Sequence, residues 1–337
     1  MMKILSVNSV RILIYLIPAV LLYVYSCKKD DNPVKFPKGT FPDSTIILTG
    51  INSPYDDYNM DLYQLLDYVN VIFSSNRAGS GGKFDLVQGV ITFRFDQTDG
   101  TFELESEITQ DAFRTTLINA ANTPGDDLGP YTRFSTVDGN EYLILSSESV
   151  NGDLDFYYLK NQPFFGTSIP SVSGPFPVTL LNSDANDAYI CFDSNLDSAY
   201  YSSDKEGNFE IYLQTRPAET TLADWFKGVY SDGIKVDSIN SSGHDKCPYI
   251  LRKIMVFASD RPGGLGGFDI YYSIFREGKW SSPVNMGPDI NTSHNEYRPV
   301  LGFHEDFTNN FIVFSSDRPG GKGEFDLYFR GITLPEN

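Results

Sequence analysis

The sequence is poor in the side chains that most often carry chemistry. Its 337 residues include three cysteines, three histidines and 26 lysines plus arginines, against 44 acids. Cys191 and Cys247 show no metal-ligand spacing and fall in different repeats, so buried free thiols are expected, with a disulfide as the alternative. His244 and His294 stand in similar loops, GHD and SHNE, and His304 is the remaining histidine. Polar caps are expected there, with no metal and no cofactor. The shortage of bases leaves a net charge of −18, which repels phosphate backbones and anionic head groups and excludes nucleic acid as a partner. Helical periodicity is also missing, apart from short candidates near 110–121 and 221–228. What is abundant points elsewhere: 28 glycines, 19 prolines and 46 phenylalanines plus tyrosines favour a turn-rich, all-β fold.

The one sustained apolar run, Ile12–Val24, follows Lys3 and Arg11 and is broken by Pro18. It reads as a secretory signal covering 1–26, with an uncleaved anchor as the alternative. The run ends at Tyr25-Ser26-Cys27, which resembles a bacterial lipobox and implies a diacylglycerol thioether on Cys27. Removing 1–26 deletes two bases and no acid, so the mature charge is about −20. Lys29, Asp30 and Asp31 are similar to the surface-export signal of Bacteroidota lipoproteins. The expected location is therefore the outer membrane, lipid-anchored and facing the exterior, with the periplasmic face as the alternative. Residues 27–43 carry Pro33, Pro37 and Pro42 and no periodicity, and read as a tether reaching at most about 50 Å.

Beyond the tether the chain repeats itself. Five blocks share an apolar strand, Ser-Ser or Ala-Ser, a polar residue, a turn, and an aromatic-acid-apolar run: 71–86, 143–158, 199–213, 256–272 and 313–329. The residues after the serine pair, Asn76, Glu148, Asp204, Asp260 and Asp317, are 72, 56, 56 and 57 apart, which implies one supersecondary unit per period. Before each block lies an Asn-rich loop with an acid: Asp57, Asp127, Asp187, Asp245 or Glu296. After each of the first four lies another strand-like stretch: 101–109, 175–181, 233–239 and 280–287. Four strands per period predict a propeller blade. The fifth block has no outer strand left, and 44–50 (STIILTG) precedes the first loop with no blade of its own. That segment is expected to close the ring, so the prediction is one five-bladed all-β propeller over 44–337. A six-bladed ring is the alternative, but the long first interval holds only about 15 surplus residues.

These residues resemble the PD40 family, the WD40-like repeats also found in TolB-type propellers. Repeat four carries the pattern nearly whole: Asp245, Pro248, Phe257, Ser259-Asp260-Arg261, Phe268-Asp269-Ile270-Tyr271 and Trp280. Repeat five carries Glu296, Pro299, Phe314, Ser316-Asp317-Arg318 and Phe325-Asp326-Leu327-Tyr328. Repeats two and three lack the Arg, so a role needing it in every blade is not implied. The resemblance implies a monomeric propeller working within a larger envelope assembly.

Candidate sites follow from the repeats. Asn76-Arg77, Asp204, Asp260-Arg261 and Asp317-Arg318 either line a ligand rim or hold turns. Recurrence favours turns, with Arg expected to pair with the acid of the next strand, Asp269 or Asp326. GGLGG and GGKGE lack the strand-loop-helix context of a phosphate loop. Asp57, Asp127, Asp187, Asp245 and Glu296 are expected near the start of the inner strands, facing the channel. Glycoside hydrolysis needs two carboxyls in distinct environments, and five equivalent copies read instead as caps. The expected function is thus a non-enzymatic binding or scaffold module for an envelope protein or glycan. The alternative is a glycan-active hydrolase using channel carboxylates, and any binding site should lie where the copies differ.

Overall fold

The computed structural model describes residues 33–335 except 66–67, 111 and 163–170. The expected signal segment 1–26, Cys27, Lys29, Asp30 and Asp31 lie outside the described residues. Among the described residues no helix is long and apolar enough to cross a membrane. The chain divides into two compact units, a small one of residues up to Pro37 with Asp96–Thr101, and a large one of everything else. In the small unit the amides of Lys35 and Phe36 both donate to the Gln97 carbonyl.

The large unit is an all-β propeller of five antiparallel blades. Blade 1 runs outward through β2 (Asp57–Leu65), β3 (Tyr68–Ser75), β4 (Asp85–Phe95) and β5 (Phe102–Ile108). Blade 2 is β6 (Asp127–Ser135), β7 (Asn140–Glu148), β8 (Leu154–Gln162) and β9 (Ser171–Pro177). Blade 3 is β10 (Asp187–Phe192), β11 (Ser198–Ser203), β12 (Glu210–Thr215) and β13 (Ile234–Lys235). Blade 4 is β14 (Asp245–Leu251), β15 (Ile254–Ser259) and β16 (Asp269–Arg276), with the short β17 (Lys279–Trp280) and β18 (Val284–Asn285) both paired to β16. Blade 5 is β19 (Glu296–Phe303), β20 (Asn310–Ser316) and β21 (Asp326–Ile332), and its outer strand is β1 (Ile46–Ile47) from the start of the chain.

The strand roles read from the sequence hold, and so does the closure. Ile46 and Ile47 pair with Phe329 and Tyr328. Closure reaches further back than expected, because the folded unit begins at Lys38, inside the proposed tether. Phe41 is buried, stacked 3.8 Å from Phe307 and edge-on to Phe93, Phe311 and Phe329, so it joins blade 1 to blade 5. Asn309 fixes its backbone, accepting from the Phe41 amide and donating to the Phe41 carbonyl. The surplus residues of the long first interval include a helix, α1 (Ala112–Ala121), rather than a sixth blade. Its Leu117, Ile118 and Ala121 pack with Ile72, Leu86, Leu143, Leu145 and Leu159 across blades 1 and 2. The second short helix, α2 (Leu222–Phe226), is capped by the Thr221 side chain.

Each inner strand carries one irregularity at the same place. The register of all five slips after the second residue, around Asn59, Gly129, Tyr189, Cys247 and Arg298. All five have positive φ, between 47° and 59°. That is a bulge turning one side chain per blade. Only Gly129 adopts it without strain; the other four are held there by their surroundings.

If Phe41 is the latch of the ring, Phe41→Ala should lower unfolding stability by about 3–5 kcal/mol. A loss under about 1 kcal/mol, measured by denaturant titration, would show that β1 closes the ring without it.

Candidate functional site in the central channel

The recurrent residues are used up by the blades themselves. In every blade the inner-strand acid accepts from the amide four residues earlier: Ser53 to Asp57, Thr123 to Asp127, Ser183 to Asp187, Ser241 to Asp245, Thr292 to Glu296. All five acids are fully buried. The expectation that they face the channel as available carboxylates is corrected, because their oxygens fold the loop that introduces the strand.

The Arg pairing also differs from expectation. Arg77, Arg261 and Arg318 bond Asp57, Asp245 and Glu296, at 2.5, 2.5 and 2.9 Å, not the acid of the following strand. The same guanidiniums donate to the carbonyls of Ile51, Ile239 and Ile290, and through Nε to Ser75, Ser259 and Ser316. The reason is chemical. Asp269 and Asp326 are already engaged by turn amides, those of Leu265 and Gly266 and those of Lys322 and Gly323, whereas the fully buried Asp57, Asp245 and Glu296 gain from a cation. The possible rim residues Asn76, Asp204, Asp260 and Asp317 hold the loop of their own blade, accepting from the amides of Asp56, Asn186, His244 and Asn295. They are turn-holders, as recurrence suggested.

Between blades, the loop asparagines act as clamps. Asn52, Asn122, Asn182, Asn240 and Asn291 each accept from and donate to the backbone of one residue in the preceding blade, Leu327, Leu86, Phe156, Ile211 and Ile270. The first serine of the pair reaches forward: Ser315, Ser146 and Ser202 accept from the bulge amides of Asn59, Tyr189 and Cys247. His244 is a cap, its Nδ1 accepting from the Phe209 amide. His294 lies 3.9 Å from Asp317. Cys191 and Cys247 are buried free thiols, and burial pushes them up to about 12 and about 11. Among the described residues no group of three or more potential ligands could hold a metal ion.

What differs between blades lies on the axis. Four residues beyond the recurrent acid the blades carry Asp61, Tyr131, Cys191, Tyr249 and Val300: one carboxylate in five. Asp61 Oδ2 accepts from the amide and hydroxyl of Thr132, and Oδ1 has no hydrogen-bond partner. Burial raises the Asp61 pKa, against the pull of Arg133, Thr132 and Arg298. Arg298 is wholly buried and reaches across the ring to the Pro130 carbonyl of blade 2, at 3.0 Å, leaving Nε and Nη1 unpaired. Arg133 lies over the rings of Tyr131 and Tyr249. Tyr189 and Tyr297, on non-adjacent blades, meet edge to face at 5.8 Å. Asp193, just past β10, is half-buried; burial and Asp197 raise its carboxyl. Asp61, Arg133, Arg298 and Asp193 escaped the repeat search because no copy matches them. The signal for Asp61 is the departure itself, an acid where four sister strands have none.

No protein-family model and no curated protein matches the chain. Solved structures do match, at low identity. An endo-arabinase from Bacteroides thetaiotaomicron is 13% identical over 88% of this chain and 99% of its own, with a TM-score of 0.53. A thermostable family-43 glycoside hydrolase is 13% identical over 85% and 93%, at 0.52. The β-xylosidase RS223 is 11% identical over 87% and 96%, also at 0.52. At such identities the likeness establishes the five-bladed fold. It also corrects the expectation of a non-enzymatic binding or scaffold module. These solved counterparts of the ring are glycan hydrolases.

Arg261→Met should cost about 3–5 kcal/mol, since it strands the buried Asp245 carboxylate. Blade 2 has Ser149 at the Arg position, and burial lifts Asp127 from 3.8 to about 6. A carboxyl raised on folding binds its proton more tightly in the native state, so acid favours the fold as pH drops from 7 towards 4. Relative to Asp127→Asn, the wild type should gain about 2 kcal/mol over that range. Parallel denaturation curves for both proteins would refute this if Asp127 contributed nothing.

Proposed function

We propose that the propeller is a glycan-active hydrolase whose channel acid is Asp61. One observation carries the reading: Asp61 is the single carboxylate at its position among five sister strands, and the recurrent acids are occupied elsewhere. Its surroundings suit a proton donor. Burial holds the carboxyl towards its neutral form, and its free Oδ1 is the oxygen able to give up a proton. The two guanidiniums beside it then stabilise the carboxylate left after the proton has gone to the departing glycosidic oxygen.

Hydrolysis of a glycoside needs a second carboxyl to activate water or attack the sugar. Asp193 is the candidate, just past β10 and, like Arg133 and Arg298, beside the Cys191 thiol. Its Oδ1 accepts from the amides of Asp197 and Ser198, which fixes its orientation. Asp61 is only 1% exposed, beside Arg133 and Tyr249, so the reading requires the axis to open before a glycosyl unit reaches it. The neighbours' arabinase and xylosidase activities make arabino- and xylo-oligosaccharides the first substrates to try.

The reading predicts reducing-sugar release by the wild type from at least one such oligosaccharide. Asp61→Asn should lower the rate by about 10²–10⁴-fold with an unchanged melting curve. Failure of the wild type to cleave any of them, or full activity in Asp61→Asn, would refute it.

A further inference from the structure

The inner acids of blades 1, 4 and 5 each have a guanidinium. Where blade 2 meets blade 3 the arrangement is different. Asp155, near the start of β8, sits in the position held by Asp269 and Asp326 in blades 4 and 5. There the glycine-rich turns give the acid two amides each, although Asp326 Oδ1 is left without a partner. The turn of blade 2 is shorter, and Asp155 Oδ1 is buried with no hydrogen-bond partner. Its neighbour across the junction is Asp187. Asp187 is fully buried, and its Oδ1 is likewise unpartnered. In blades 1 and 4 the equivalent oxygen takes the arginine Nη2. Blade 3 has Lys205 at that place, but its ammonium turns away to the Asp232 carbonyl and sits 4.0 Å above the Tyr212 ring.

We propose that the junction between blades 2 and 3 is operated by a proton: the Asp155–Asp187 pair takes up in acid the positive charge that arginine supplies in blades 1, 4 and 5. The junction tightens as pH falls and loosens towards neutrality. Both oxygens are closed off from solvent and have no donor, so either can take a proton. The groups facing the pair make ionisation of both acids unfavourable. On the β8 side stand Asp153 and Tyr157. On the blade 3 side stand Ser183, Ser203, Tyr201, Tyr230 and Lys205, with Asp184, Asp232 and Glu206 behind them. Lys205 is the sole cation of this set and is shared with Asp232 and Glu206.

Burial, then Asp153 and Asp187, raise Asp155 from 3.8 to about 6, and burial raises Asp187. Both carboxyls are raised on folding, so the stabilisation is complete below their unfolded values and is lost as pH climbs through about 6. Native-state hydrogen exchange on the whole chain tests this. Protection factors in β8 and β10 should rise by about tenfold from pH 7 to pH 5, while those in β16 and β19, where Arg318 serves Glu296, stay level. Asp155→Asn imitates the protonated acid and should show the pH 5 protection at both values. Asp187→Asn is the second variant, expected to behave alike. Equal wild-type protection at the two pH values, or a response that persists in both variants, would overturn the proposal. The outcome is independent of any hydrolytic activity.

Discussion

The ring depends on a carboxylate buried at the start of every inner strand. A buried, ionised carboxyl is costly unless several donors converge on it. Each blade meets that requirement with a backbone amide from its own loop, and three blades add a guanidinium. The loop so tightened presents an asparagine to the preceding blade, where it pairs with one residue's amide and carbonyl as a strand would. One charged group thereby fixes the loop, the start of the strand and the junction. The regular spacing of the repeats is the outward sign of that constraint.

A structure built this way separates scaffold from site. The residues that catch the eye in sequence, Asp-Arg pairs and recurrent acids, have their hydrogen bonds satisfied inside the blades. The bulge in each inner strand frees two positions from the repeat, and there the blades diverge into Asn59, Gly129, Tyr189, Cys247 and Arg298, and into Asp61, Tyr131, Cys191, Tyr249 and Val300. The axis therefore holds uneven charge inside an even ring. That unevenness is what a catalytic reading needs and what five equal carboxylates could not provide.

Much of the fold was legible because propeller periodicity is long and repeated. Blade count, strand roles, the closing segment at Ile46–Ile47 and both short helices follow from spacing and pattern. The Arg pairing was not legible. Arg261 has Asp245 sixteen residues before it and Asp269 shortly after, and only the folded turn shows that amides already satisfy Asp269. The left-handed bulge was invisible for a related reason. It falls on Asn, Gly, Tyr, Cys and Arg, so backbone geometry rather than residue type is shared. Asp61 could have been found by aligning the five inner strands and asking which position breaks ranks.

The central claim is that the recurrent acids are structural and unequal only in whether a guanidinium serves them. Unfolding free energies at pH 7 for Asp57→Asn, Asp127→Asn, Asp187→Asn, Asp245→Asn and Glu296→Gln measure it directly. The account predicts two classes. Asp57, Asp245 and Glu296 variants should lose about 2–4 kcal/mol, each leaving a half-buried guanidinium without its charge partner. Asp127 and Asp187 variants should be neutral or more stable, since a neutral amide replaces an unpaired buried charge. Equal losses in all five would contradict the account.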